Sequence, residues 1–368
     1  MALFPGQPVR IQPYFGHRSH SRLVVAARAL RSGKPGYENG GRLQAMRTML
    51  AQFASREVEG LAVTLELKSP EGCRTKYPGT TDREGFVRFE IELGEDWPLP
   101  AYPAWEIVCL HWLNRDGPQC IHGHVLVPGA RTTLAVVSDI DDTIVETGIT
   151  GGFRQLMRNW RRVLAELPDE RIAAPGADAF YGALGGGAVL PGRGGAGDAV
   201  SATHRPFFYV SSSPWNLFSY LVAFLRSRKL PLGPLLLRDW GFDRATLGAA
   251  SHGEHKRAAI DALLAMYPHI RFALIGDDTQ GDLPAYAEVV THNLGQVAAV
   301  FIRTASGAPL SPEELGGKAA IEAAGVPLWL GASYETGQDF LRVAGLRAHG
   351  DAAKIVETVE AAHDTAAA

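Results

Sequence analysis

Residues 134–143, LAVVSDIDDT, decide the fold of this chain. The apolar run at 134–137 is typical of a strand buried in a parallel sheet. Three carboxylates, Asp139, Asp141 and Asp142, follow at its C-terminal end. Like charges this close repel one another unless a cation or a shifted pKa compensates, and ligands of open α/β sheets bind beyond the carboxyl ends of the strands. The stretch therefore predicts a divalent metal and an anionic substrate beside a buried strand.

Downstream of this strand, apolar strands alternate with helical segments. Strands are predicted at 134–138, 207–210, 235–237, 272–275, 297–302 and near 327–330, and helices at 214–229 and near 335–346. Such alternation indicates an α/β fold, a doubly wound parallel sheet. Ser213 and Pro214 are expected to open the helix at 214–229 as its N-cap and first residue. The long interval between the first two strands predicts a small cap insertion at about 147–205.

Upstream of residue 134, the chain has a sequence pattern typical of an all-β region. Strands are predicted at 22–30, 57–67, 85–93, 105–113 and 119–127, and a helix at about 42–54. No helical pattern alternates with the last four strands, which favours an antiparallel sandwich. We therefore expect a β-rich, sandwich-like domain over 1–132, the α/β domain over 133–346, and a helical or disordered tail over 347–368.

Composition narrows the class of protein. A net charge of −3 with 20% charged residues is ordinary for a soluble globular chain and argues against nucleic acid as a partner. Cys73, Cys109 and Cys120 lack the spacing of a metal or disulfide framework, and no signal peptide is evident, so a cytoplasmic setting is expected. The uncharged stretch 206–225 is long enough to span a bilayer. Its serines and prolines instead predict a strand, a turn and a helix.

Polar groups suited to one reaction occur at four places in the α/β region: Asp139–Thr143, residues 211–213, Lys256 at a predicted helix start, and residues 276–282. One carboxylate can attack phosphorus, and a second one two residues away can protonate the leaving oxygen and then activate water. Mg²⁺ prefers the oxygen ligands that the two acidic segments offer. Serine hydroxyls and a lysine ammonium can neutralise phosphoryl oxygens. The set predicts phosphoryl transfer.

Over about 133–305 this ordered set resembles the haloacid-dehalogenase-like phosphatases, whose motifs run DxDxT, Ser/Thr, Lys and an acidic GD-type loop. The resemblance implies that Asp139 is the nucleophile and Asp141 the general acid/base. It implies phosphate or substrate contacts from the following residues: Thr143, Ser211, Ser212 and Lys256. It also implies an Mg²⁺ cofactor held by Asp139, the Asp141 backbone carbonyl and Asp277, assisted by Asp278 or Asp282.

Three strings narrow the resemblance further. SDIDDTI, YVSSSPWNL and GDDTQGD resemble the catalytic domain of the actin-patch-associated phosphatidate phosphatases and their bacterial relatives. That family implies Mg²⁺-dependent conversion of phosphatidate into diacylglycerol and phosphate, with peripheral contact to an anionic membrane. Two other functions stay open: a phosphatase of a soluble phosphomonoester, and a peripheral membrane- or protein-binding module carried by the β-rich region.

Several of these residues also have ordinary structural interpretations. Ser211 suits a turn or a helix cap, Lys256 an exposed helix surface, and Asp282 the N-cap of the next helix. The amphipathic segment 151–167 carries an arginine face, which is typical either of a solvated surface or of a cap that meets phosphate or anionic lipid. The order of the motifs, rather than any one residue, favours the catalytic interpretation.

Overall fold

The computed structural model describes residues 8–31, 56–69, 72–94, 97–140, 143, 174–189, 201–238 and 250–346. Within them a β-rich region precedes an α/β domain. The predictions for 42–54, 151–167 and 347–368 lie outside the described residues, as do Asp141 and Asp142.

The β-rich region is one hydrogen-bonded sheet. Its strands are β1 (Val9–Pro13), β2 (Gly16–Arg18), β3 (Arg22–Arg31), β4 (Arg56–Glu57), β5 (Ala62–Lys68), β6 (Arg74–Thr80), β7 (Phe86–Glu92), β8 (Ala104–Asn114) and β9 (Gly117–Val127). The order is β1-β3-β2-β9-β8-β5-β6, and β4 and β7 also pair with β3. Alternate apolar side chains of these strands enclose a common core that includes Val25, Leu65, Val87, Leu110 and Val125.

The β-rich prediction is confirmed, with local differences. The expected sandwich is a single sheet in the described residues, because β2 pairs antiparallel with β3 and parallel with β9. The predicted strand at 57–67 is divided at Gly60, whose φ of 74° suits a turn. Strand β6 was not predicted because most of its side chains are exposed and lack apolar alternation. It forms because seven consecutive residues pair with β5.

The α/β domain contains a second sheet and six α-helices among the described residues. The strands are β10 (Leu134–Asp139), β11 (Phe207–Pro214), β12 (Leu235–Arg238), β13 (Arg271–Asp277), β14 (Val297–Arg303) and β15 (Leu328–Gly331). The helices are α1 (Ala177–Gly185), α2 (Phe218–Ser227), α3 (Ala250–Met266), α4 (Asp282–His292), α5 (Pro312–Ala323) and α6 (Gly337–Val343). Two 3₁₀ turns, Trp215–Leu217 and Tyr334–Thr336, precede α2 and α6.

This second sheet is parallel throughout, with the order β12-β11-β10-β13-β14-β15. The chain order reverses between β10 and β13. Both faces are buried: Leu134 and Val136 of β10 belong to one apolar cluster, and Ala135 and Val137 to the other. The continuous apolar character of 134–137 follows from burial on two faces. The predicted alternation of parallel strands and helices is confirmed.

Helix α1 lies within the segment predicted as a cap insertion. Phe180 stacks on Tyr334 with ring centroids 4.9 Å apart, and Tyr181 stacks on Phe207 at 5.6 Å. The described part of the segment, 174–189 and 201–205, thus packs against the core of the α/β domain. The rest of the segment lies outside the described residues.

Two predicted helix starts are wrong. Ser213 and Pro214 continue β11, and Pro214 pairs with Arg238 beyond a register shift, so the helical turns begin at Trp215. Helix α3 begins at Ala250, which places Lys256 in its second turn rather than at its start. The uncharged stretch 206–225 is divided among β11, a 3₁₀ turn and α2. Among the described residues, no helix is both long enough and apolar enough to span a bilayer.

The two regions contact each other through aromatic and polar side chains. Tyr14 packs on Trp215 with ring centroids 4.3 Å apart. The imidazole Nδ1 of buried His17 lies 2.9 Å from the Tyr267 hydroxyl, just beyond α3. These contacts fix the β-rich region against the α/β domain.

Candidate active site

The candidate site lies where the order of the parallel sheet reverses. Asp139 ends β10 and Asp277 ends β13, and these two strands are hydrogen-bonded neighbours. Because the strands are parallel, both carboxylates reach the same edge of the sheet. The crevice at such a reversal is the usual ligand site of open α/β sheets.

Asp282, the first residue of α4, completes a cluster of three buried carboxylates with Asp139 and Asp277. One oxygen from each lies within 4.8 Å of the others. Lys256 enters the cluster from α3. Its Nζ lies 3.0 Å from Asp139 Oδ1 and 2.5 Å from Asp282 Oδ1, and its side chain is 1% exposed. The order of the motifs predicts that Lys256 joins these carboxylates, although more than 20 residues separate it from each of them.

Two threonines hold the carboxylates in place. The Thr143 hydroxyl lies 3.1 Å from Asp139 Oδ2 and 2.9 Å from Asp277 Oδ2, so it bridges the two strand ends. The Thr279 backbone N–H and hydroxyl both donate to Asp277 Oδ1, at 2.6 and 2.5 Å. The Asp277 backbone N–H in turn donates to Asp282 Oδ2 at 3.1 Å. The cluster is therefore positioned by hydrogen bonds as well as by the ion pairs.

The electrostatics of the cluster favour a further cation. Burial and the adjacent Asp282 raise the pKa of Asp277 to about 7, against the opposing effect of Lys256. Burial alone would lower the pKa of Lys256, but the charges of Asp139, Asp282 and Asp277 raise it above its usual value. Three carboxylates share one ammonium in this buried cluster, so a bound cation would favour their ionised forms. Oxygen donors of this kind fit Mg²⁺.

The predicted serines lie beside this cluster. Ser211 and Ser212 are buried near the end of β11, and β11 pairs in parallel with β10 so that Val210 is opposite Asp139. The Ser213 backbone N–H donates to Ser211 Oγ at 2.9 Å, a local side-chain-to-backbone contact typical of serine. Both serines thus lie within β11, just beyond the residue paired with Asp139.

The structure distinguishes between the two acidic residues left open as supporting ligands. Asp278 turns away from the cluster, and its oxygens accept from the Ser306 backbone N–H at 2.9 Å and the Ser306 hydroxyl at 2.6 Å. Asp282 does not act as the N-cap of α4, because Gly281 occupies that position. Among the described residues Asp282 therefore lies with the carboxylates and Asp278 does not. Asp141 lies outside the described residues, so its predicted role stays a prediction.

Sequence reasoning missed the supporting side chains. Thr279 lies inside GDDTQGD and was within reach of motif analysis, since threonines two residues after an aspartate often bond back to it. Tyr334 donates to the Thr143 carbonyl at 3.2 Å across 191 positions, and Tyr181 lies 2.7 Å from the Ser138 hydroxyl. No local sequence pattern predicts contacts between residues this far apart in the chain.

Residues 134–304 match the family model described as phosphatidate phosphatase APP1, catalytic domain. This segment is similar to that catalytic-domain family. The match starts at the first residue of β10 and includes every described member of the carboxylate cluster. It supports the expectation of a phosphatase, that is, a phosphoric monoester hydrolase, in this part of the chain.

Two individual proteins are similar to this chain. The chain is 25% identical over 269 residues to phosphatidate phosphatase APP1 of Saccharomyces cerevisiae, a match that covers 69% of this chain and 40% of the yeast protein. It is also 25% identical over 175 residues to an uncharacterized protein of Schizosaccharomyces pombe, covering 47% of this chain and 25% of that one. The chain therefore spans less than half the length of either relative.

Similarity to solved structures is weak. A β-glucuronidase of Bifidobacterium dentium shares 9% identity, covering 89% of this chain and 60% of that one, with a TM-score of 0.24. A score this low carries no argument about the fold.

Proposed function

We propose that the α/β domain is an Mg²⁺-dependent phosphomonoester hydrolase of the haloacid-dehalogenase-like type, acting through an aspartyl-phosphate on Asp139. The observation that supports this most is the convergence of Asp139, Lys256, Asp277 and Asp282 in one buried cluster. Three separate sequence motifs supply these residues. A purely structural role would not explain the burial of three carboxylates around one ammonium, because desolvating charges is costly.

The proposed chemistry assigns a task to each group. An oxygen of Asp139 attacks phosphorus, and Asp141 protonates the leaving oxygen and later takes a proton from the attacking water. Lys256 and the buried serines of β11 orient and neutralise phosphoryl oxygens. Asp139, Asp277 and Asp282 would hold Mg²⁺ together with the Asp141 backbone carbonyl. When bound, the ion adds charge stabilisation for the phosphoryl group.

We propose phosphatidate as the substrate. The support is the match of 134–304 to a phosphatidate phosphatase catalytic domain and the similarity to the yeast phosphatidate phosphatase. Peripheral contact with an anionic membrane would follow from a lipid substrate. A soluble phosphomonoester is the second candidate, because the same cluster would hydrolyse any phosphomonoester that the surrounding residues admit.

A substrate panel tests the proposal. We expect hydrolysis of phosphatidate in detergent micelles with a kcat/KM at least about 100-fold above those for sugar and nucleoside phosphates. Activity should require Mg²⁺ and be lost on chelation. If soluble esters win by a similar factor, the lipid substrate is wrong while the phosphatase chemistry stands.

Two variants distinguish hydrolysis by Asp139 from hydrolysis by a contaminating phosphatase. Asp139→Asn removes the attacking carboxylate at constant size and should lower turnover by at least about 10⁴-fold with the fold intact. Asp278→Asn is the matched control, since Asp278 bonds to Ser306 outside the cluster, and it should keep most of the activity. Substantial turnover by folded Asp139→Asn protein would exclude the aspartyl-phosphate mechanism.

A further inference from the structure

The β-rich region holds a second group of metal-ligating side chains, on the sheet surface away from its apolar core. Cys109 and His111 lie two positions apart on β8, and Cys120 lies on β9. Cys120 pairs directly with His111 across the two strands. Side chains two apart on a strand, and those paired across strands, share one face of a sheet. The register, rather than sequence spacing, brings the three together.

The three side chains are close enough to share one ion. One ligand atom from each lies within 4.8 Å of the others. A tetrahedral Zn²⁺, at about 2.3 Å from sulfur and about 2.0 Å from nitrogen, places its ligand atoms about 3.5 Å apart. Small side-chain rotations are enough to close the cluster to that distance.

The surroundings point the same way. His111 Nε2 is buried and makes no hydrogen bond within the described part of the chain. This nitrogen lies 3.5 Å from Glu66 Oε2. Glu66 is on the adjacent strand β5, where it is directly opposite Cys109 of β8. The Glu66 charge is already paired, because Arg74 lies 2.9 Å from Oε1 and Lys76 Nζ 3.6 Å from Oε2. An imidazole nitrogen that makes no hydrogen bond within the described residues, next to two thiols, suits a cation.

We propose that Cys109, His111 and Cys120 bind one Zn²⁺ ion, at a site separate from the carboxylate cluster. Two thiolates and an imidazole are the ligands that Zn²⁺ prefers, whereas Mg²⁺ prefers oxygen. The ion would link strand β8 to strand β9 on the polar face of the sheet. A redox-active thiol pair is the competing interpretation.

Binding of cobalt(II) to this site can be measured by absorption spectroscopy, independently of any enzymatic activity. The full chain, reduced with a phosphine and freed of metal, is titrated with CoCl₂ in the presence of excess Mg²⁺ to occupy carboxylate sites. We expect one equivalent of Co²⁺ to give intense sulfur-to-cobalt charge-transfer absorption, which Zn²⁺ then abolishes. Absence of this absorption in the wild-type chain would overturn the proposal.

Variants assign the absorption to residues. Cys109→Ser and Cys120→Ser should each remove most of it and weaken Zn²⁺ binding by more than about 100-fold, since loss of an outer-shell partner alone costs about 10–100-fold. Cys73→Ser is the matched control, because Cys73 is an exposed cysteine outside the cluster, and it should behave as wild type. Charge transfer that persists in both Cys109→Ser and Cys120→Ser would overturn the assignment.

Alkylation of the wild-type chain avoids dependence on any variant's folding. Zn²⁺ should protect Cys109 and Cys120 from iodoacetamide, as read by mass spectrometry, while Cys73 stays reactive as an internal standard. Equal alkylation of all three with and without Zn²⁺ would contradict the site. A Cys109–Cys120 disulfide that forms in air despite saturating Zn²⁺ would assign the pair to redox chemistry instead.

Discussion

At the scale of single residues, Lys256 is the most constrained side chain of the candidate active site. Its side chain is 1% exposed, and its ammonium lies between Asp139 and Asp282. A buried charge is tolerated only with close partners, since the cost of removing it from water is several kcal/mol. The same contacts that position Lys256 for its proposed role in phosphate binding therefore also stabilise the folded state.

Lys256→Met should destabilise the fold as well as abolish activity. Removing the ammonium leaves buried carboxylates unpaired, so the free energy of unfolding should fall by about 3–5 kcal/mol, measured by urea denaturation. Adding Asp139→Asn to this variant should restore part of the loss, because one stranded charge is removed.

Lys318→Met is the control for Lys256→Met. Lys318 forms a half-exposed pair with Glu322 on α5, at 3.5 Å, and its removal should change stability by no more than about 0.5 kcal/mol. If Lys256→Met destabilises no more than this control, the ion pairs of the cluster do not contribute as described.

At the scale of elements, the junction between β13 and α4 depends on Gly276. A Cβ added there would lie 2.4 Å from Asp282 Oδ2 and 2.8 Å from Asp282 Cβ. Only a residue without a side chain lets the first turn of α4 approach the end of β13. This close approach is what brings Asp282 to Lys256 and to the Asp277 backbone.

Gly276→Ala should displace Asp282 and impair the site more than the fold. A displacement of about 1 Å can lower turnover by about 100-fold, while overpacking costs about 1–3 kcal/mol of stability. Phosphatase assays and thermal unfolding measure the two effects separately.

Gly316→Ala is the matched control on α5. An added Cβ there has no neighbour within 4 Å among the atoms described, and alanine should stabilise the helix by up to about 1 kcal/mol without loss of activity. Retention of full activity by Gly276→Ala would show that Asp282 is not needed at its observed position.

At the scale of the whole molecule, the contact between the two regions includes a titratable group. Burial, and then the charge of Arg22, lower the pKa of His17 to about 4. Its Nδ1 lies 2.9 Å from the Tyr267 hydroxyl of the α/β domain. Protonation of His17 therefore opposes the docked, folded state.

This lowered pKa makes stability depend on pH. An unfolded histidine takes up its proton near pH 6.5, whereas folded His17 does so only near pH 4. Between these values the unfolded state binds more protons, so the His17 contribution is complete above about pH 6.5 and is lost as pH falls towards 4. We expect a loss of up to about 3 kcal/mol, measured by urea denaturation across this range.

His17→Gln should flatten the pH dependence, because glutamine does not titrate. His20→Gln, at an exposed position just after β2, should follow the wild-type curve. Indistinguishable slopes for wild type and His17→Gln would assign the acid sensitivity to other groups.

How much of the fold and of the candidate site could be predicted depends on how far apart in the sequence the interacting residues lie. The apolar runs of the parallel sheet mark β10 to β15 within a few residues, because burial on both faces leaves a local signal. Strand β6 carries no such signal, since pairing with β5 rather than burial makes it a strand. Pro214 was mistaken for a helix start because its pairing with Arg238 is a tertiary contact.

The sequence by itself determined the alternation of strands and helices, the acidic end of β10 and the order of the motifs, because each of these is a local pattern of neighbouring residues. Only the tertiary structure decided that Asp282 rather than Asp278 joins Asp139 and Asp277, and that Lys256 lies between the carboxylates. The cluster of Cys109, His111 and Cys120 depends in the same way on strand register. Register and packing join residues far apart in the chain, and the cost of burying their charges and polar atoms then selects the partners.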